Sequence, residues 1–283
     1  MQYGLVFPMM DVLVVPGLAA EAEAAGWDGI FIPDCINIDP RFNGGVPMPA
    51  DDPWIVLAAV AMQTTRIHFG TMITPPSRRR PWKLARELTT LDVLSNGRVI
   101  LPVGLGALDD QGFGNVGEAT DRKTRAELLD ETLDILRGLW SGEPFSYDGQ
   151  HYQIEELAFA PRPVQQSGIP IWCVGLWPAE RSMRRVARCD GLLPNIRKEA
   201  GSAEITPDDI RAMKDWLDAH RDMSKPFDII MEGSTPSDDR AAALDQVGPY
   251  AEASVTWWLD SFWSPPNDTD AIRRRLAAGP PRQ

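Results

Sequence analysis

Between Arg66 and Gly106 the chain changes hydrophobic period twice: RIHFGTMITPPSRRRPWKLARELTTLDVLSNGRVILPVGLG. Ile67, Phe69 and Met72 lie in an apolar run about as long as a buried parallel strand. Pro81 suits a first helical turn, where its missing N–H costs nothing. Leu84, Leu88, Leu91 and Leu94 then recur at helical spacing on one face. Asn96-Gly97 tolerates the left-handed backbone that ends a helix, and Arg98 to Val103 opens another strand. The pattern predicts a βαβ unit whose second strand runs into Gly104-Leu105-Gly106. Glycines just past a strand form a tight turn or let a ligand approach.

The same alternation continues on both sides. Strands are predicted at Gly4–Pro8, Gly29–Pro33, Ile169–Val174, Asp190–Pro194, Phe227–Glu232 and Ser254–Leu259. Helices are predicted over Pro16–Ala25, from Asp52-Pro53 to Gln63, over Ala179–Ala187, from Thr206-Pro207 to His220, and around Ala271–Ala277. Thr124-Arg125-Ala126-Glu127 has the capping-box pattern for a helix carrying Leu128, Leu129, Leu133 and Leu136, and Thr235-Pro236 reads as another cap. Phe145 to Ile154 reads as a hairpin, while Asn37–Ala50 and Ala107–Gly117 read as loops. Eight strands alternating with helices, without a break in composition, predict one (β/α)8 TIM barrel over residues 1–283. The loop insertions fall at the C-terminal face of its strands.

Composition narrows the partners. A chain of 283 residues, 43% hydrophobic, suffices for a barrel of about 250 residues. The formal charge of -12 leaves no basic footprint for nucleic acid or an anionic membrane surface. The basic runs are Arg78–Arg80 and Arg273–Arg275, and the second reads as a solvated face. Three cysteines, Cys35, Cys173 and Cys189, give no disulfide framework and no metal knuckle, so a reducing cytoplasm is expected. No uninterrupted 18-residue apolar run is present, and no membrane span is expected.

Barrels of this type bind ligands at the C-terminal strand ends. Those ends supply Asp34, Thr71-Met72, Gly104–Gly106, Gly175–Trp177, Asn195, Glu232 and Trp257-Trp258. His68, His151 and His220 fall early in a strand, in the hairpin and late in a helix. There is no Ser-His-Asp arrangement, zinc spacing or Walker loop. So few acids and bases suggest that a cofactor carries the chemistry. Gly104-Leu105-Gly106 is not a dinucleotide fingerprint, because Asp109 stands where its third glycine would be. Val174-Gly175-Leu176-Trp177-Pro178 leads into a helix and reads either as a phosphate cradle or as ordinary capping. Trp172 and one of Trp257 and Trp258 are expected inside the barrel.

The central stretch also carries a family resemblance. Gly70–Pro75, Arg78–Arg80, Pro81–Glu87, Leu91–Arg98 and Gly104–Gly106 closely resemble the luciferase-like flavin- or deazaflavin-dependent oxidoreductases. That family typically has a Gly-Thr-apolar-apolar-Thr-Pro strand end, an Arg-rich loop and Pro-Trp-Lys-Leu-Ala-Arg-Glu opening the helix. Pro161–Asn195 and Pro249–Trp258 match it again, so the resemblance covers most of the chain. It implies a TIM barrel in which Thr71, Met72, Gly104 and Gly106 lie against the cofactor ring or its ribityl chain. It implies a cofactor phosphate held near Gly175, Leu176 and Trp177, with Arg125 as a further anchor. It further implies a bulge with a non-prolyl cis peptide, which alignment puts between Thr71 and Met72.

Family members often carry an acidic residue followed by His where this chain has Asp34-Cys35. Asp34 is therefore the candidate catalytic residue, with capping of the following loop as its alternative, and its loss is expected to harm activity more than stability. The missing His tilts the reading toward oxygen chemistry. The resemblance thus implies a cytoplasmic monooxygenase using reduced FMN and molecular oxygen on a small organic substrate. Two alternatives stand beside it: a hydride-transferring oxidoreductase using the deazaflavin coenzyme F420, and a flavin-binding protein without turnover. For the enzymes, electrons are expected from a separate flavin or deazaflavin reductase, and a homodimer is compatible with the family.

Overall fold

The computed structural model describes residues 1–39, 45–46, 48–196, 204–263 and 269–282. Residues 40–44 and 47 of the predicted loop Asn37–Ala50 thus lie outside the described residues. In chain order the first half comprises β1 (Gln2–Val6), α1 (Val15–Ala24), β2 (Gly29–Ile32), α2 (Pro53–Gln63), β3 (His68–Thr71), α3 (Pro81–Ser95), β4 (Leu101–Val103), α4 (Gln111–Gly114) and α5 (Arg122–Trp140). There follow β5 (Phe145–Asp148), β6 (Gln153–Leu157), β7 (Ile171–Trp177), α6 (Glu180–Val186), β8 (Gly191–Ile196), α7 (Pro207–Asp218), β9 (Asp228–Gly233), α8 (Arg240–Glu252), β10 (Trp257–Ser261) and α9 (Thr269–Ala277). β5 and β6 form an antiparallel hairpin. The other eight strands lie in the order β3-β2-β1-β10-β9-β8-β7-β4. Parallel bridges from Phe69 to Val99 and from Thr74 to Val103 join the last strand to the first. The result is the expected (β/α)8 barrel.

Side chains alternate along each strand, so every second residue enters the barrel. Phe31, Trp172 and Trp257 fill its middle, with Trp172 5.3 Å from each of the other two rings. Such bulk needs empty positions opposite it. A Cβ on Gly29 would stand 2.8 Å from Trp257, and one on Gly4 2.6 Å from Leu259. The indole N–H of Trp172 donates to Asp228 at 3.2 Å, while Thr256 donates to the other carboxylate oxygen at 2.8 Å. Trp258, the neighbour of Trp257, packs against Tyr250 of α8.

Two signals read from sequence hold. Asn96 caps α3 at φ 56°, and Pro81 occupies the helix start. Two caps are corrected. α5 begins at Arg122, where Asp121 accepts the N–H of Thr124, because a carboxylate one turn earlier outcompetes the predicted Thr124 cap. α8 begins at Arg240 under Asp239, while Thr235 binds Asp260 through both its N–H and its hydroxyl. The second basic run, Arg273–Arg275, is also not wholly solvated. Arg275 is buried and paired with the Asp260 carboxylate beneath Trp27.

Among the described residues no helix is long and apolar enough to cross a membrane. Near the barrel seam, a Cβ on Gly70 would fall 2.3 Å from the Ile100 carbonyl oxygen, a backbone atom with no rotamer to yield. Gly70→Ala should therefore cost about 1–3 kcal/mol through overpacking. A drop in the midpoint of chemical denaturation, at unchanged slope, checks this.

Candidate active site

The seam between β3 and β4 has uneven register. From Phe69 to Thr74 the chain takes one more residue than its partner takes from Val99 to Val103. The extra residue makes a bulge, and the Met72–Ile73 peptide within it is cis. The expected position, Thr71–Met72, is corrected by one residue. Regular pairing persists through Thr71, opposite Ile32, and the Met72 N–H still donates to the Ile32 carbonyl at 2.8 Å. The irregularity can begin only after that bond.

A buried polar chain secures the bulge from behind. Thr71 and Thr74 share a hydroxyl hydrogen bond of 2.8 Å, and the Thr74 hydroxyl donates to Asp34 at 2.7 Å. Arg79 donates to both Asp34 oxygens at 2.9 and 3.0 Å. Arg78 reaches the Asp34 carbonyl at 2.5 Å and Asp110 at 3.0 Å. The Asp34 side chain is 2% exposed and that of Arg78 3%. A carboxylate so enclosed is engaged in structure. Cys35, beside it, is pushed up to about 11 by burial, against the pull of Arg78. At neutral pH it is a thiol and not a proton acceptor.

The loop after β4 is fastened to the same cluster. Phe113 of α4 lies between two guanidinium groups, with Arg125 at 3.5 Å and Arg78 at 5.0 Å from its ring centre. Arg125, fully buried, donates to the carbonyls of Ala119 at 2.7 Å and Ala107 at 2.8 Å. Its Nη2 is buried without a partner among the described residues.

A cavity of about 430 Å³ opens at the C-terminal ends of the strands. Met72 and Ile73 of the bulge, Val174, Leu193 and Ile230 make an apolar wall, with Met231, Pro194 and Ile205 around it. Asn195 and Glu232 bring the polar side chains, and Trp263 stands at the edge. The Trp263 indole N–H donates to Glu232 Oε2 at 2.9 Å. Burial raises the Glu232 carboxyl above its ordinary value, with this hydrogen bond acting the other way.

The structure separates the residues singled out from sequence. Met72 lines the cavity, whereas Thr71 is fully buried behind it. The space beside Gly104 is taken by Ile73, since a Cβ there would stand 2.2 Å from its Cδ1. The space beside Gly106, at φ 75°, is taken by Phe113. Gly175 faces outward and lets Met183 and Val186 of α6 pack on β7. The Leu176 N–H is bonded to the Ser182 hydroxyl at 2.9 Å, and Trp177 is joined to Pro178 by a cis bond. These residues, with Asp34 and Arg125, lie outside the cavity lining. Ile73, Val174, Leu193 and Ile230 escaped sequence reading because an apolar residue near a strand end is indistinguishable from core. Glu232 was visible as an acidic residue ending a strand. None of the histidines lines the cavity: His68 opens β3, His151 meets Glu127 in the hairpin region, and His220 stacks on Trp216.

A (β/α)8 barrel with a bulge-backed cavity at its strand ends narrows the class of protein, and comparison with known proteins completes it. The sequence model of luciferase-like monooxygenases matches residues 14–278. The chain belongs to that family. It is 30% identical over 242 residues to the F420-dependent glucose-6-phosphate dehydrogenase of Nakamurella multipartita, covering 84% of this chain and 68% of the relative. The fold matches an F420-dependent secondary alcohol dehydrogenase in complex with an F420–acetone adduct, with a TM-score of 0.78 and 17% identity over 99% of this chain and 98% of that one. It also matches the oxygenating constituent of 3,6-diketocamphane monooxygenase from Pseudomonas putida, a type II Baeyer–Villiger monooxygenase in complex with FMN. There the TM-score is 0.62, with 18% identity over 89% of this chain and 72% of that one. These relatives support an oxidoreductase with a flavin or a deazaflavin as its cofactor.

The ion-pair cluster revises what losing Asp34 should do. Asp34→Ala leaves two arginines facing each other in a buried site and should cost about 3–5 kcal/mol of stability. Asp34→Asn should cost less, because the amide oxygen still accepts from Arg79. Denaturation of both variants beside wild type checks the order.

Glu232 carries a linked expectation. Its folded value lies above the ordinary 4.5, so its contribution to stability is complete below about that pH. That contribution is lost as pH rises through the raised value. Glu232→Gln should therefore gain on wild type in thermal stability as pH is taken from acid to neutral, in parallel melting series.

Proposed function

We propose that this chain is a deazaflavin-dependent oxidoreductase that moves hydride between F420 and a small organic substrate. The observation that carries the reading is Glu232 in the cavity wall. Oxygen chemistry was favoured from sequence because the usual histidine is replaced by Cys35, which left no group to manage a proton. A carboxyl group raised by burial meets that need from a different strand. The identity with an F420-dependent dehydrogenase over most of the chain supports the same order of readings.

The residues present suit such a cofactor. A bound deazaflavin supplies or accepts hydride at its ring. Met72, Ile73 and Val174 offer an apolar wall to a flat ring, with the bulge fixed beneath it by Thr74 and Asp34. Outside the cavity lining, in the first turn of α5, the buried Nη2 of Arg125 has no partner among the described residues and would suit an anionic group of a cofactor that reaches past the wall. Glu232, whose carboxyl burial raises above its ordinary value, is the ionisable side chain of the described lining and the residue able to release or take a proton there. Bulk water is kept from the floor by Ile230, Leu193 and Met72.

The second reading, a monooxygenase using reduced FMN, is supported by the fold shared with the FMN-bound oxygenating enzyme. Parallel titration of the protein with F420, FMN and anaerobically reduced FMN separates the two through ring absorbance. F420 is expected to bind tightest and to be reduced on adding substrate. Preferential binding of reduced FMN, with oxygen uptake that depends on substrate, would reverse the order. With no GxGxxG unit in the sequence, we further propose that electrons come from a separate reductase. Turnover of purified protein with NADH or NADPH alone should be absent, by absorbance of the nicotinamide.

A further inference from the structure

We propose a second ligand site in this chain, on the face of the barrel opposite the candidate active site: a cavity in which Arg221 and Ser254 receive a small monocarboxylate with an apolar body. The site stands apart from the cofactor and the reaction.

The cavity holds about 240 Å³ and lies where β9 and β10 begin, against the last turns of α7. Leu217, Phe227 and Ile229 form an apolar floor. Of the polar side chains in its lining, three are already engaged. Lys214 and Asp218 are paired with each other one helical turn apart, and the Thr256 hydroxyl donates to Asp228 at 2.8 Å. Arg221 and Ser254 complete the lining and carry the argument.

Arg221 is held in place without being neutralised. Its Nη1 donates to the carbonyls of Asp222 at 3.1 Å and Lys225 at 3.0 Å, and its guanidinium lies 4.6 Å from the centre of the Phe227 ring. Asp222 turns its own carboxylate to Ser224. Nε is buried without a partner, and Nη2 has none among the described residues. Those two nitrogens are the side fork through which an arginine takes a carboxylate. In a chain with 40 acidic and 28 basic residues, a fixed arginine left without a carboxylate is not short of candidates for one.

Ser254 supplies an independent observation. It follows α8 at φ 76°, and the N–H of Val255 beyond it closes on the Tyr250 carbonyl. This is the helix-end position that glycine fills without steric cost. A serine is strained there, yet its side chain faces the cavity, and its hydroxyl has no partner among the described residues.

Charge and size select the ligand. Lys214 and Arg221 against Asp218 leave the lining with a single positive charge, which one carboxylate balances. A phosphate dianion would bring excess negative charge beside Asp218, and an ammonium would meet Arg221. The volume exceeds that of a bare ion, and the floor favours an alkyl or aryl body.

Calorimetric titration with hexanoate, inorganic phosphate and hexylamine tests the assignment. Wild type should bind hexanoate, phosphate more weakly, and hexylamine not at all. Arg221→Gln, whose folding is checked by circular dichroism, should weaken hexanoate about tenfold or more, the worth of a charge-assisted hydrogen bond. Ser254→Gly should move two readouts in opposite directions: the midpoint of thermal unfolding rises as the left-handed strain is relieved, while hexanoate affinity falls severalfold. Absence of hexanoate binding in wild type, preference for phosphate or hexylamine, or wild-type hexanoate affinity in either variant would overturn the proposal.

Discussion

One buried carboxylate organises the top of this barrel. Asp34 takes hydrogen bonds from Thr74 and from Arg79, and Arg78 closes on its backbone carbonyl. Those partners stand on separate segments: the end of β2, the bulge after β3 and the turn before α3. Desolvating two guanidinium groups and a carboxylate is costly, and the cost is offset only while all three keep their geometry. The bulge at Met72–Ile73 therefore has a fixed backing, and the cavity wall inherits its position from an ion pair that lies outside the cavity lining.

The polar and apolar parts of the site are thereby divided. Charge lies behind the wall, in Asp34, Arg78, Asp110 and Arg125, and the wall itself is Met72, Ile73, Val174, Leu193 and Ile230. Glu232 is the exception, an acid placed on the apolar side with an indole for company. Burial acts on the two carboxylates in opposite circumstances. Asp34 has cations in contact, while Glu232 has none among the described residues, and burial raises the Glu232 carboxyl above its ordinary value against the pull of the Trp263 hydrogen bond.

The barrel was legible because its signals are local. Pro81 opening α3, Asn96 closing it, and leucines three and four apart need no distant partner to be understood. One cap failed to a local rival, Asp121 ahead of Thr124, and the other to a tertiary contact. Thr235 looks like a helix cap and instead serves Asp260, twenty-five residues on, and Arg275 looks like a solvated charge and instead fills the same pair. The site was harder still. Glycines at 104 and 106 suggested room for a ligand, yet Ile73 and Phe113 occupy that room. Asp34 and Glu232 are both acids ending strands, and nothing in the chain tells which one carries two arginines at its back. That depends on how β2, β3 and the turn before α3 converge.

The Arg78–Phe113–Arg125 stack bears on how such a protein can diversify. Phe113 sits between two cations that are themselves bonded to Asp110 and to the Ala107 and Ala119 carbonyls. A substitution that reshaped this loop would disturb the Asp34 cluster through Arg78, and with it the bulge. Drift in ligand preference is thus discouraged on the β4 side of the mouth. Among the described residues the ends of β8 and β9 and Trp263 have no such tether to the cluster, so new specificities have their open evolutionary route there.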